Sequence, residues 1–146
     1  MSRAFVKDDD GGPEPSFNRP VSESPNYVTP RGLKLLREAL ARAESEQNER
    51  DVRYYSERVQ TAIVVAPESH ANGVVEFGAT VEAHDARGSR LRVRIVGEDE
   101  ADPLKGSISW ESPIARALAD HHVGDRVTVV RPAGPIEYTI DGIVYE

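Results

Sequence analysis

Leu91-Arg92-Val93-Arg94-Ile95-Val96 alternates apolar and basic residues. This is the period-two pattern of a strand with one buried face, and it turns Leu91, Val93 and Ile95 inward. Just upstream, Asp85-Ala86-Arg87-Gly88 has the composition of a turn. Before it, Val74-Val75-Glu76-Phe77 and Ala79-Thr80-Val81-Glu82-Ala83 read as strands, with Gly78 as a bulge or bend and Asn72-Gly73 as a turn. Downstream, Ser107-Ile108-Ser109-Trp110 is a further short strand. Ser112 then caps a short helix that opens on Pro113, with Ile114, Ala115 and Leu118 as core residues. Past the Gly124-Asp125 turn come Val127-Thr128-Val129-Val130, the Pro132-Ala133-Gly134-Pro135 turn and a last strand from Ile136 to Tyr145. Five or six short, mostly antiparallel strands and one helix predict an α+β domain over 67–146, at about 80 residues able to hold a core.

The period changes toward the N-terminus. Residues 27–66 read as helical. Thr29 is a suitable N-cap, Pro30 sits at the first helical position, and Val28 can staple onto Leu33. Leu33, Leu36, Leu40 and Ala43 form one apolar stripe, and Val52, Tyr55, Val59 and Ala62 form a second. Between them Ser45-Glu46-Gln47-Asn48-Glu49-Arg50-Asp51 is polar throughout, with Asn48 able to turn. A short antiparallel helical hairpin is predicted. One uninterrupted helix stays open, because no Gly or Pro enforces the turn. Residues 1–26 read as a disordered leader, rich in proline and carrying Asp8-Asp9-Asp10-Gly11-Gly12, with Phe5, Val6 and Phe17 as its apolar exceptions.

Composition narrows the function. In 146 residues, 18 Lys and Arg face 25 Asp and Glu, a net charge of −7, with the acidic excess after residue 66. Retention on nucleic acid by overall charge is therefore not expected. The chain has no cysteine, which excludes disulfides, Cys-ligated zinc, iron–sulfur clusters and thiol catalysis. The start of the chain is polar, and no apolar run nears the roughly 18 residues of a membrane span. The reading is a soluble cytoplasmic protein.

Few motifs carry chemistry. His121-His122 is the only histidine pair. Adjacent side chains diverge, so a solvated helix end explains them better than a metal. Glu98-Asp99-Glu100 with Asp102 lacks the glycine and oxygen spacing of a calcium loop and reads as an exposed, solubilising loop. Glu44, Glu46, Glu49 and Asp51 cluster at the tip between the helices. They could present a metal ion to another molecule, but pairing with Arg42, Arg50 and Arg53 at helical spacings is the simpler expectation. There is no nucleophile elbow, Walker loop or dinucleotide fingerprint. No catalytic residue, metal or cofactor is expected, and the residues describe a binding module with a helical prong.

Three stretches are more specific: Val75-Glu76-Phe77-Gly78-Ala79-Thr80-Val81, Arg94-Ile95-Val96-Gly97-Glu98-Asp99-Glu100-Ala101-Asp102, and Ile108-Ser109-Trp110-Glu111-Ser112-Pro113-Ile114-Ala115-Arg116-Ala117-Leu118. With Val123-Gly124-Asp125 and the closing strand, they resemble the C-terminal domain of the bacterial Gre (GreA/GreB) transcription factors. Tyr27-Val28-Thr29-Pro30-Arg31-Gly32-Leu33-Lys34-Leu35-Leu36 is similar to the start of that family's N-terminal coiled coil. The resemblance covers about 110 residues and several motifs in order.

It implies an FKBP-like C-terminal domain that docks on RNA polymerase at the rim helices of the largest subunit, beside the secondary channel. Ser109, Glu111 and Pro113 match the docking segment. Contact with DNA or RNA would be indirect, through the polymerase, and no membrane is involved. The family's likeness to prolyl isomerases implies no activity here, because an aromatic-lined pocket is not evident with one Trp and three Phe. Cleavage-stimulating members carry two acids at the tip of a long coil and help hold a magnesium ion in the polymerase active site. That tip motif, Gly-Asp followed by Glu-Asn-Ala, is absent here. An arm from Arg31 to about Glu44 spans about 21 Å at 1.5 Å per residue, whereas the family's cleavage factors have arms about twice as long. The resemblance is thus to a short-coil, Rnk-type variant: a regulator that does not itself cleave. Two alternatives stay open. One is a cleavage-stimulating factor using the tip acids, and the other is a Gre-like module for a different partner.

Overall fold

The structure, a computed structural model, describes residues 19–66 and 73–145. The expectations for Phe5, Val6, Phe17 and the acidic run of the leader lie outside the described residues, as do Pro67 and Asn72. Among the described residues the architecture is α+β, with three α-helices and a mixed five-stranded sheet. Among the described residues no helix is long and apolar enough to cross a membrane.

The sheet has five strands: β3 (Ala79–Asp85), β4 (Arg90–Val96), β5 (Ser107–Ser109), β6 (Arg126–Val129) and β7 (Ile136–Tyr145), in the order β5-β4-β3-β7-β6. The alternation that opens the sequence reading is β4, with Val93 and Ile95 buried and Leu91 packed at the margin of the core. At the β3–β4 turn, Asp85 Oδ1 accepts from the amides of Arg87 and Ser89, each at 2.9 Å. Gly88 supplies the left-handed backbone there (φ +82°). The register break of the β3–β7 pair falls between Glu82 and Ala83 rather than at Gly78. Gly78 turns the chain into β3 (φ +92°) and donates to Ile95 O.

The sheet is mostly antiparallel, as expected, with β4 and β5 alone pairing in parallel among its described strands. After Val96 the chain leaves through an acidic loop and a short 3-10 turn (Pro103–Lys105), so it returns running in the same direction. Val74-Val75-Glu76-Phe77 is not a strand. Val74 forms a lone bridge to His122, and Val75 exchanges backbone bonds with the chain just past the third helix. That helix, α3 (Pro113–Leu118), starts as expected, with Ser112 Oγ accepting from Ala115 N. Ala115 and Leu118 reach the core formed by Val75, Val81, Val93, Ile95 and Ile140. Each large aliphatic side chain buried there contributes roughly 1.5–3 kcal/mol.

The helical section is two helices, α1 (Pro30–Ser45) and α2 (Glu49–Thr61), packed on each other. Gln47 takes a left-handed conformation (φ +56°) and Asn48 N bonds back to Ala43 O, which ends α1. Asn48 then caps α2, its side chain accepting from Asp51 N. Leu36 and Ala43 are buried on α1, yet the buried residue of α2 is Arg58. The section is flanked by strands that the helical reading of 27–66 did not foresee. β1 (Tyr27–Val28) and β2 (Ile63–Val64) pair in parallel, beginning with Ile63 N to Asn26 O at 2.8 Å. Pro30 forces the residue before it out of the helix, and Ile63-Val64-Val65 favours extended backbone.

Candidate functional site

Three of the expected site residues lie together where β5 runs into α3. Ser109 Oγ accepts from Glu111 N at 3.1 Å, and Ser109 O accepts from Ser112 N at 2.9 Å. These bonds fold 109–112 into a tight turn ahead of the helix. Pro113 is exposed at the first helical position, and Ser109 and Glu111 are half-buried. Glu111 Oε2 accepts from Ser24 Oγ at 2.6 Å and lies 3.6 Å from the Arg116 guanidinium. The result is a small, rigid and partly charged ledge, suited to meeting a partner's donor groups.

Trp110, between the site residues, points the other way. Its ring meets Tyr27 edge-on at 5.1 Å between centroids, and Tyr27 also touches Phe77 at 6.0 Å. These rings line an apolar cleft of about 290 Å³ with Val75, Ile95 and Ala115. An aromatic-lined cleft is thus present where composition made none evident. Tyr27 supplies the ring that composition could not place.

The acidic run is not a free, solubilising loop. Asp99 accepts from Arg58 Nε at 2.6 Å and from the Tyr54 hydroxyl. Arg58, 2% exposed, also donates to Asn26 Oδ1 at 2.7 Å, and Asn26 Nδ2 donates back to Arg58 O at 2.7 Å. Glu100, 3% exposed, accepts from Thr29 Oγ1 at 2.6 Å and from Arg31 at 3.0 Å. Its charge therefore sits at the N-terminus of α1, where the helix dipole favours it. Burial, reinforced by the hydrogen bond to Asp99, raises the Tyr54 hydroxyl pKa to about 12. The backbones come close as well: a Cβ on Gly97 would lie 2.3 Å from Tyr27 O. Loop 97–100 thus clasps the helices to the sheet.

The tip acids behave differently from one another. Glu44, Glu46 and Glu49 are exposed. Asp51 accepts from Asn48 Nδ2 at 3.0 Å and pairs with Arg19 at 2.9 Å. Among the described residues no ion pair joins these acids to Arg42, Arg50 or Arg53, so the expected helical-spacing pairs are replaced by a contact from 32 positions away. Arg19 also stacks over Tyr54, 3.9 Å from the ring centroid. Residues 19–26, assigned to the leader, lie against the helices and reach the ledge.

No group of three or more potential metal ligands occurs among the described residues. His121 and His122 diverge less than expected, since both imidazoles approach Asp125 Oδ2, at 3.3 and 3.9 Å. The Asp125 carboxyl is held below its ordinary pKa, first by the His122 backbone N–H and then by the two rings. Ser24, Asn26, Arg58, Asp99 and Glu100 were missed as contact residues. The one signal available was three carboxylates directly after a buried strand and a glycine.

A family model described as "Transcription elongation factor, GreA/GreB, C-term" matches residues 68–145. The chain is 41% identical over 107 residues to "Transcription elongation factor GreA" of Nautilia profundicola, an overlap of 73% of this chain and 66% of that protein. It is 38% identical over 124 residues to "Transcription elongation factor GreB" of Yersinia pestis, covering 85% of this chain and 66% of the other. The GreB of Neisseria meningitidis is 30% identical over 157 aligned positions, which take in 85% of this chain and 96% of the relative. The chain thus spans between about half and two thirds of the length of the first relatives it matches. Among solved structures, "GreA factor homolog 1 (Gfh1)" of Thermus thermophilus aligns over 83% of this chain at 24% identity, with a TM-score of 0.46. With more than half of its residues under one family model, the chain belongs to the GreA/GreB family of transcription elongation factors.

Proposed function

We propose that this protein is a non-catalytic regulator of RNA polymerase. It docks at the secondary-channel rim helices through Ser109, Glu111 and Pro113 of an FKBP-like body (67–146), and carries a short helical prong (27–66). The observation that carries the reading is the reach of the prong. α1 has 16 residues, about 24 Å at 1.5 Å per residue, against about twice that expected of the cleavage factors the sequence resembles. The alignment with the Neisseria relative runs to 157 positions against the 146 residues of this chain, so that relative carries residues with no counterpart here. A prong of this length narrows the channel and competes with longer factors for the same rim without delivering a carboxylate to the catalytic magnesium.

One observation favours a second reading. Glu44, Glu46 and Glu49 stand exposed at the tip, as carboxylates that stimulate transcript cleavage would. Adding the protein to backtracked elongation complexes separates the two. The proposal expects no RNA shortening above buffer, while shortening lost on E44A/E46A/E49A selects the second reading. Docking is tested by capture on immobilised polymerase, where S109A/E111A is expected to lose at least about tenfold in affinity. Equal capture removes the docking site.

A further inference from the structure

The segment ahead of β1 ends on the docking ledge, and its bonding determines what it can do there. Asn26 is 5% exposed, held by Arg58 on both its side-chain oxygen and its side-chain nitrogen, with a further bond to Thr61. Pro25 fixes its own φ and restricts Ser24 to extended backbone. At the far end Arg19 is tied to Asp51 and stacked on Tyr54. Ser24 is therefore fastened on both sides, two residues from a buried anchor, and its hydroxyl donates to Glu111 Oε2 at 2.6 Å. Bonds of this length from a hydroxyl to a carboxylate are the stronger, charge-assisted kind. The Glu111 backbone is fixed separately, through its N–H on Ser109 Oγ. Among the described residues Oε1 of Glu111 makes no hydrogen bond.

Resting on the docking reading above, we infer that Ser24 is a positioning residue of the docking surface. The anchored segment 19–26 holds the Glu111 side chain in one rotamer, with Oε2 occupied and Oε1 presented to an arginine or lysine of the polymerase. The surface is then composite, built from the N-terminal segment as well as the body, and any change that frees Asn26 also loosens the acid. A glutamate ordered before contact loses less side-chain freedom on binding, which is worth about 2- to 10-fold in affinity.

The test is equilibrium capture of the full chain on immobilised RNA polymerase at fixed salt, for wild type, S24A, S24T, E111A and S24A/E111A. S24A is expected to weaken binding about 3- to 10-fold. S24T, which keeps the hydroxyl, should stay within about twofold, and S24A should have no further effect in the E111A background. A purely structural role would weaken both backgrounds alike and would overturn the inference. So would S24A binding as wild type while E111A loses affinity, and S24A binding more tightly would mean that the segment shields the acid rather than aiming it. If E111A alone binds like wild type while S109A/E111A does not, the inference falls and the docking reading stands; if both bind like wild type, both fall.

Discussion

Replacing Arg58 by Met tests whether the clasp joins the helices to the sheet. The substitution keeps most of the volume and removes the charge. It strips Asp99, whose side chain is 15% exposed, of its 2.6 Å partner, and leaves Asn26 Oδ1 buried without a donor. Breaking a buried pair by deleting one member costs about 3–5 kcal/mol. The residual exposure of Asp99 and the surviving Tyr54 bond put R58M near the lower end, about 3 kcal/mol. The exposed pair of Arg92 and Glu82, at 65% and 52% exposure, is expected to contribute under about 1 kcal/mol and to fade with salt. The assay is urea unfolding followed in parallel by far-ultraviolet circular dichroism and by the fluorescence of Trp110, the sole tryptophan, which rests on Tyr27 at the seam. In wild type the two signals should move together, and in R58M they should separate as the helices loosen first. In an R58M background D99N should cost about 2 kcal/mol less than in wild type, because its partner is already gone. A loss below about 1 kcal/mol for R58M, or additive losses, would refute the clasp.

Gly97→Ala should destabilise by more than about 2 kcal/mol in the same denaturation assay, because the new methyl group would meet a backbone oxygen, Tyr27 O, at 2.3 Å and neither side can yield cheaply. A near-neutral result would mean that the close approach is absent. Tyr54 has a folded-state pKa raised to about 12 from about 10, so the fold retains a proton that the unfolded chain releases. Its contribution is complete below about pH 10 and is lost as pH rises through about 12. Y54F should flatten that alkaline decline in stability, and an unchanged slope would show that Tyr54 ionises freely in the fold.

What could be read from the residues was what local physics decides. Thr29 with Pro30, and Ser112 with Pro113, cap their helices because capping acts over three residues. The alternation of β4 fixed its buried face for the same reason. The ledge residues were singled out through motif resemblance, and their neighbourhood was not. Ser24 meets Glu111 across 87 positions, and Arg58 meets Asp99 across 41. Nothing in local spacing distinguishes Glu100 at the start of α1 from a solvated acid. The parallel β5 escaped because strand direction depends on how the intervening loop travels, and that loop is steered by the clasp itself. Asp51 was paired with the wrong arginine because its real partner, Arg19, lies in a stretch whose composition reads as unstructured.

The short parallel ladder of Tyr27–Val28 on Ile63–Val64 stitches together the two points where the chain departs for the helices and comes home. Beyond the clasped bases of the two helices, the chain between the stitches is an excursion. Whole turns added to or removed from both limbs would change how far it extends while leaving the ladder and the sheet beneath untouched. In a chain built this way, length becomes an adjustable dial on a constant base, and a lineage could tune how deep its members probe without redesigning the foundation that holds them.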